Sequence, residues 1–450
     1  MSFFSRLYWT AYLARHLRGQ ATFPFRPLDA VKRARDRRVR AMVGHAYATV
    51  PYYRATMGRL GLKPEDFRSA DDLARLPLIG PTDLQDDLGR FMSSKYSRDR
   101  CVHLRTSGST GRPHSAYYST SAIFQNAAHG ERDRSVVTPL IGRKLGYRET
   151  VIGSVLSSAA KLQQHVRLHG LFLPGAPIVR QYLSVTDPPE ENARLIAEFR
   201  PDVIQSYGSY LDILFPYLHD TGAAFHKPKV VMFSSDALSD SVRRLIVEQF
   251  EIPVFGAYQA IEAFKIGFEC EHHRGVHLNI DLYFPRIVDD ASRDVAEGGV
   301  GELVISNLVN PAMVLLNYRL GDLVNVLPGR CPCGRTLPVL AFPAGRSDDV
   351  VELPSGRIVH PLAVKTIFVK EPNVRQYQIV QHAATRFTVS VVTSPAADRD
   401  ELKGRLETAL SEHMGAEVDV DVGFVDAIDR TAGGKSRTLI SHLHKPEDAS

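Results

Sequence analysis

Val230-Val231-Met232-Phe233-Ser234-Ser235, then Leu238-Ser239-Asp240-Ser241-Val242-Arg243-Arg244-Leu245-Ile246-Val247-Glu248-Gln249-Phe250, then Ile252-Pro253-Val254-Phe255-Gly256-Ala257-Tyr258, is the stretch that decides the fold. A short β-branched run, an amphipathic helical pattern and a second apolar run follow one another without a gap, which is the strand–helix–strand signature of α/β structure with largely parallel sheet. The pattern repeats upstream. VIGSVL (151–156) precedes a helical stretch, and PDVIQSY (201–207) precedes SYLDILFPYLHD. Towards the N-terminus, the first 100 or so residues read as helices broken at Pro51, Pro64, Pro77 and Pro81.

Downstream the spacing changes. VHLNIDLYFPRIV, GELVISNL, MVLLNYRLG and DLVNVL crowd residues 276–327 with short strands, which predicts an antiparallel or barrel-like piece. After Gly345, strands VRQYQIVQHA and RFTVSVVT, helix ELKGRLETALSEHM and strand VDVDVGFVD have the composition of a small α+β unit. The expected class is therefore α/β. A large N-terminal domain, 1–345, has mixed or parallel sheets flanked by helices plus a β-rich subdomain. A small α+β domain covers 346–450.

The 450 residues include 44% apolar and 23% charged side chains, so a disordered, fibrous or disulfide-framed chain is excluded. No run approaches the ~20 apolar residues of a membrane span. Four cysteines make a reducing compartment the default, and a cytoplasmic location is expected. The opening MSFFSRLYWTAYLARHLRG has Arg6 inside its apolar region and no small-residue cleavage site, so it reads as an amphipathic helix packing on the body. Residues 1–60 carry twelve Lys/Arg against two Asp, concentrated in Lys32–Arg40. That run fits either an anionic partner, such as nucleic acid or a membrane surface, or a solvated helix face backed by Val31, Val39, Met42 and Val43. The helix-face reading is preferred, and no nucleic-acid partner is expected.

Thr106-Ser107-Gly108-Ser109-Thr110-Gly111-Arg112-Pro113 is rich in N–H and O–H donors suited to phosphate oxygens, yet it lacks the GxxxxGK[ST] form of a P-loop. Cys270, Cys331 and Cys333, with His273 and His277 close by in sequence, suggest a tetrahedral zinc site of Cys₃His type; Cys101 reads as a core thiol.

TSGSTGRP resembles the phosphate-binding signature of the adenylate-forming superfamily, which includes acyl-CoA synthetases. Three further elements resemble that superfamily in the same order: Gly301-Glu302-Leu303-Val304 with Tyr318-Arg319-Leu320-Gly321-Asp322, then Gly345-Arg346-Ser347-Asp348-Asp349, then Gly433-Gly434-Lys435-Ser436-Arg437. The phrases FECEHHRGVHLNID and CPCGR are similar to the phenylacetate–CoA ligase branch and its capsule-biosynthesis relatives. The resemblance implies ATP-dependent activation of a carboxylic acid as an acyl-adenylate, followed by transfer to CoA. It also implies a role for each matching residue. Thr106 to Arg112 would grip the β- and γ-phosphates, Asp322 and Arg346 the ribose, and Ser235, Asp236 and Tyr258 the adenine side. Asp348 would be a hinge, and Lys435 would stabilise the charge of adenylation. Glu262 would hold Mg²⁺, and Cys270, His277, Cys331 and Cys333 would hold structural zinc, with His273 the alternative fourth ligand.

The family's aromatic-Gly-x-Thr-Glu pattern fits FGAYQAIEAF in two registers. The one ending on Glu262 is preferred to the one ending on Gln259, because a hard cation favours a carboxylate. Gln259 and Ile261 then stand where the family has Gly and Thr. Two alternatives stay open: an acyl acceptor that is an amine or a carrier protein, and a nucleotide-binding scaffold with impaired catalysis. Tyr207, Phe233, Tyr258 and Phe264 would suit an aryl or medium apolar acid, though core packing explains them about as well. A homodimer is also left open.

Overall fold

A computed structural model describes residues 2–105, 115–154, 158–172, 178–343, 345–346, 351–355, 358–359, 364, 367–368, 370–415, 418–429 and 437–443. The N-terminal part is helical: α1 (Phe3–Leu17), α2 (Leu28–Thr49), α3 (Pro51–Arg59) and α4 (Pro81–Asp87). In α2 the apolar positions Val31, Val39, Met42, Val43 and Ala46 point inward while Lys32, Arg33, Arg37 and Arg40 stay exposed, so the basic run is mostly a solvated face. α1 differs from the amphipathic expectation because none of its residues is fully buried. It lies on the body through Trp9, stacked on Phe124 at 5.1 Å, and through Arg6, which donates to the Gly170 carbonyl at 2.8 Å.

A hairpin, β1 (Val102–Arg105) and β2 (Ser115–Tyr118), flanks the stretch 106–114. Helices α5 (Thr120–His129) and α6 (Glu131–Ile141) lead into the α/β region. There the chain runs β3 (Arg148–Gly153), α7 (Ser158–His169), β4 (Val179–Ser184), α8 (Pro189–Phe199), β5 (Val203–Tyr207), α9 (Gly208–Thr221), β6 (Val230–Ser234), α10 (Asp240–Glu248) and β7 (Val254–Ala260). Then come β8 (Phe264–Glu269), β9 (Val276–Leu278), β10 (Tyr283–Val288), β11 (Val300–Asn307), β12 (Tyr318–Asn325), β13 (Val339–Leu340) and β14 (Gly345–Arg346).

The eight-stranded sheet has the order β13-β9-β8-β7-β6-β5-β3-β4. It is parallel from β4 to β7 and antiparallel beyond. Its inner parallel strands β3, β5, β6 and β7 are largely buried and read as apolar runs, whereas the edge strand β4 is half-exposed and does not. A four-stranded antiparallel sheet, β10-β11-β12-β14, stands beside it. Two details correct the sequence reading. VHLNIDLYFPRIV is two strands in different sheets, split by the turn at Asn279–Leu282. The predicted strands MVLLNYRLG and DLVNVL contribute to one strand, β12, which begins only at Tyr318: Gly321, at φ 75°, lets the chain pass through an irregularity without leaving the sheet. Cys101 is only half-buried, at the edge of the main core.

A separate apolar core is built from residues 351–439. It contains the pair β15 (Val351–Glu352) and β16 (Ile358–Val359), the strands β17 (Val374–Ala383) and β18 (Arg386–Thr393), helix α11 (Arg399–Met414), and the strands β19 (Asp419–Phe424) and β20 (Leu439–Ser441). Leu402, Leu406, Leu410 and Met414 recur every fourth residue along α11 and face the sheet β19-β18-β17-β20. Arg375, at the start of β17, forms a two-pronged ion pair with Asp220 of α9 at 2.7 and 2.9 Å, tying this core to the larger body.

Backbone packs closely against backbone where β5 hands over to α9. A Cβ on Gly208 would sit 2.3 Å from the Ala237 carbonyl carbon, so the exit from β6 rests on that glycine. The obstacle is backbone and cannot rotate aside. Gly208→Ala is expected to destabilise the protein by ~1–3 kcal/mol, the scale of overpacking a closed core. The check is the midpoint of chemical denaturation, beside Gly58→Ala, which meets nothing within 4 Å.

Candidate active site and metal cluster

The carboxyl ends of β3, β5, β6 and β7 converge, the usual location of ligand sites in open α/β sheets. Tyr207, at the end of β5, accepts a hydrogen bond from the Ser154 amide at 3.4 Å. After β6, Ser235 adopts φ 78°, unusual for a residue with a side chain. Asp236 then turns back to α9, where its carboxylate accepts from the Ser209 amide at 3.2 Å and the Ser209 hydroxyl at 2.5 Å. The carboxylate read as an adenine contact is thus also the acceptor that fixes the first turn of α9.

Tyr258 lies on β7 and is nearly buried. Its hydroxyl donates to Asp322 Oδ2 at 2.5 Å, joining the eight-stranded sheet to the four-stranded one. In the β12–β14 ladder Asp322 is the cross-strand partner of Arg346. Three residues named from separate stretches of sequence therefore meet at one junction, Arg346 being placed by its backbone alone. Glu269 anchors this end of β7. It is buried and accepts from the Gly256 amide at 2.7 Å and from Arg243 at 2.8 Å, with His273 Nδ1 at 3.2 Å. Gly256 has no room for a side chain, since a Cβ would meet the Phe342 ring at 2.1 Å.

Glu262 occupies the tight turn between β7 and β8, with a β-bulge at Tyr258/Gln259 just before it. Asn307 donates to the Glu262 carbonyl at 2.8 Å, and Tyr118 donates to the Ile261 carbonyl at 2.5 Å. Tyr118 also stacks on Phe264 at 3.9 Å. Its hydroxyl is held un-ionised by burial, with the charges of Tyr283 and Glu262 adding to the effect. Because Tyr118 ends β2, the turn carrying Glu262 packs against the hairpin whose two strands bracket residues 106–114. Thr106, Ser107, Gly108, Ser109, Thr110, Gly111, Arg112, Asp348 and Lys435 themselves lie outside the described residues.

Cys270, His277, Cys331 and Cys333 bring their ligand atoms within 4.8 Å of one another. Cys270 Sγ and Cys331 Sγ are 3.6 Å apart, and Cys333 Sγ is 3.3 Å from His277 Nε2. A disulfide needs ~2.05 Å, whereas two thiolates on one tetrahedral zinc at ~2.3 Å stand close to the observed separation. His277 Nδ1 lies 3.2 Å from the Leu337 carbonyl, which can only accept. The ring proton is therefore on Nδ1, and the Nε2 lone pair faces the sulfurs, the outer-shell arrangement that orients metal-binding histidines. Burial pushes the Cys270 thiol up to about 12 and His277 down to about 4, so without a cation the cluster is neutral at these two groups. The donor set fits zinc. His273 is held by Arg243 and Glu269, outside the cluster.

Sequence reasoning passed over Glu269, Asn307, Tyr118 and Phe342. Each acts through a backbone group or a ring face, so no motif marks it.

Residues 351–442 match the model of the CapK C-terminal domain family. The whole chain is similar to a phenylacetate–coenzyme A ligase of Thermus thermophilus, 26% identical over 92% of this chain and 97% of that protein. It is also similar to the protein CapK of Staphylococcus aureus, 21% identical over 83% and 81%. In three dimensions it matches a 2-hydroxyisobutyryl-CoA ligase solved in its postadenylation state, with a TM-score of 0.75 and 18% identity over 94% and 91% of the two chains. That match shows the fold to be an acyl-CoA ligase fold.

The anchoring of β7 can be checked alone. Glu269→Ala removes the acceptor for a buried amide and for a guanidinium, and is expected to cost ~3–5 kcal/mol of stability. Glu269→Gln keeps the shape and one acceptor and should cost about 1–3 kcal/mol. Equilibrium denaturation of the pair gives both numbers.

Proposed function

We propose that this chain, which belongs to the phenylacetate–CoA ligase and CapK-like family of adenylate-forming proteins, activates a carboxylic acid with ATP and transfers the acyl group to CoA. A carboxylate oxygen of the acid attacks the α-phosphorus and pyrophosphate leaves. The sulfur of CoA then attacks the acyl carbon, AMP leaves, and the thiol proton passes to solvent. The observation that carries this reading is the meeting of Tyr258, Asp322 and the Arg346 position at the junction of the two sheets. A carboxylate already accepting from a tyrosine is suited to accept also from ribose hydroxyls.

In this reading residues 106–112 bind the β- and γ-phosphates, Arg112 supplying a forked cation. Ser235, Asp236 and Tyr258 form the adenine side, and Glu262 is the carboxylate for Mg²⁺, which would offset phosphate charge. Residues 1–345 hold the substrates, and residues 346–450 turn about Asp348 to bring Lys435 in and out. The acid is aryl or medium apolar, against Tyr207, Phe233, Tyr258 and Phe264. Cys270, His277, Cys331 and Cys333 hold one structural zinc, a closed shell with no open position for hydrolysis. The enzyme works in the cytoplasm. A second reading keeps adenylation but gives the acyl group to an amine or carrier protein. Gln259 and Ile261, in place of the family's Gly and Thr, favour instead a third reading, a nucleotide-binding scaffold with impaired catalysis.

Pyrophosphate release over a panel of carboxylic acids, with and without CoA, tests the reading. Release with at least one acid and thioester only with CoA is the expected result; no release with any acid would favour the scaffold. Lys435→Ala is expected to slow adenylation by ~10²–10³, the loss of one oriented electrostatic donor. ATP affinity should hardly change, and thioester formation from supplied acyl-adenylate should survive. Metal analysis of purified protein should find about one zinc per chain. Cys331→Ser should lower the thermal midpoint more than it alters nucleotide affinity.

A further inference from the structure

A cavity of about 310 Å³ opens between the segment that follows α1, helix α2 and the first turn of α6. Its walls include Phe23, Arg26, Arg37, Arg38, Arg132 and Asp281. Four guanidinium groups thus meet one carboxylate. That carboxylate is already committed: Asp281 grips Arg132 with both oxygens, at 2.7 and 2.9 Å, and both side chains are at most 2% exposed. Arg132 is otherwise complete, donating to Asn279 at 3.0 Å and Gln20 at 2.9 Å and lying over the Phe23 ring at 4.2 Å.

The remaining three cations have no such partner. Among the described residues none of Arg26, Arg37 and Arg38 forms an ion pair, and the hydrogen bond of Arg38 is a long one, 3.3 Å, to the neutral Gln125 side chain. A guanidinium has five donors; Arg26 and Arg37 are exposed, and Arg38, half-buried, has only a share in the charge of Asp281. The surroundings register the surplus. His129 is buried beneath the same cluster with neither ring nitrogen hydrogen-bonded, and burial, then Arg132, Arg38 and His16, hold it well below its ordinary pKa. His16, at the end of α1, is lowered by burial and then by Arg38 and Arg15.

We infer that this cavity binds a phosphate group, as free phosphate, pyrophosphate or the head of a phosphomonoester, at a site distinct from the nucleotide site. Three guanidiniums without a direct ion pair, around one hollow, suit an anion of at least two charges with oxygens on several sides, and Arg forks match phosphate geometry. The volume leaves room for a small organic group beside the phosphate. A lipid headgroup offers the same chemistry. α1 runs directly into the cavity wall and exposes Phe3, Phe4, Leu7 and Tyr8, and the chain has no acidic residue before Asp29.

The test is calorimetric titration of the full chain with inorganic phosphate at fixed ionic strength, with chloride as the control anion. Arg37→Gln/Arg38→Gln is expected to weaken phosphate binding by about tenfold or more, whereas Arg112→Ala leaves this binding event in place. Arg26→Gln, at the rim, should give a smaller loss and does not depend on the double variant folding. Cosedimentation with phosphatidylcholine vesicles, alone or with phosphatidic acid, separates the sources. Vesicle capture that needs phosphatidic acid and Arg37/Arg38 identifies a headgroup, and phosphate binding without capture identifies a soluble phosphate ligand. The inference fails if phosphate binds no better than chloride. It fails equally if binding is lost in Arg112→Ala but kept in Arg37→Gln/Arg38→Gln.

Discussion

The bond from the Tyr258 hydroxyl to Asp322 is the constraint on which the candidate active site depends. Tyr258 belongs to the last parallel strand of the large sheet and Asp322 to the middle of the four-stranded sheet. A hydrogen bond to a carboxylate is among the stronger and more directional ones, and this one ties the two sheets together at that point. Each end is itself held. β7 is pinned through the Gly256 amide by Glu269, and β12 is paired on both sides, to β11 and β14. A ligand bridging the sheets would meet a seam that is already closed, so little ordering is left for binding to supply.

The Cys/His cluster performs the corresponding task at the other edge of the large sheet. Cys270 follows β8 and His277 lies on β9, while Cys331 and Cys333 sit in a turn just before β13. The intervening chain builds most of the four-stranded sheet. A metal ion held by these four side chains would join its two ends at one point and remove the closure entropy of a long loop from folding. β9 and β13 pair over only two residues, His277↔Val339 and Val276↔Leu340, too short a ladder to hold the edge unaided. The cluster therefore bears on the placement of Asp322 through the length of chain it closes.

What was legible in the sequence follows from how each feature is encoded. The parallel strands were legible because burial on both faces demands continuous β-branched runs, and 230–258 is such a run, helix, run. Tyr258 and Asp322 could be picked out as types with a chemical use, and their nearness could not, since it arises from a contact between sheets. β12 was misjudged because Gly321 next to Asp322 reads locally as a turn, whereas an irregular strand can absorb a positive φ without ending. α1 was expected to bury a face. Its alternating apolar and basic residues carry the same moment whether that face meets protein or something else. The arginines of α2 were read as a solvated face, which holds for most of them. Arg38 escaped because only tertiary packing with Arg132 and Asp281 sets it apart from its neighbours.

Two of the seven described residues that carry a side chain at positive φ lie where these constraints meet. Ser235 and Phe264, both with side chains, adopt φ 78° and 53° on either side of Tyr258. Such conformations cost of order 1–3 kcal/mol each and persist only where surrounding contacts over-determine them. The contacts are identifiable. The Asp236–Ser209 pair holds the turn after β6, and the Tyr118 ring, with its hydroxyl on the Ile261 carbonyl, holds the turn before β8. Both turns end at side chains, Asp236 and Glu262, whose directions would be arbitrary in relaxed loops. The strain is thus part of how these short connections fix the backbone positions of Asp236 and Glu262. Its energetic cost is met by helix α9 on one side and by the β1–β2 hairpin on the other. The same two elements that stabilise the turns are the ones that border the nucleotide side of the proposed site, so packing and recognition act through one set of contacts.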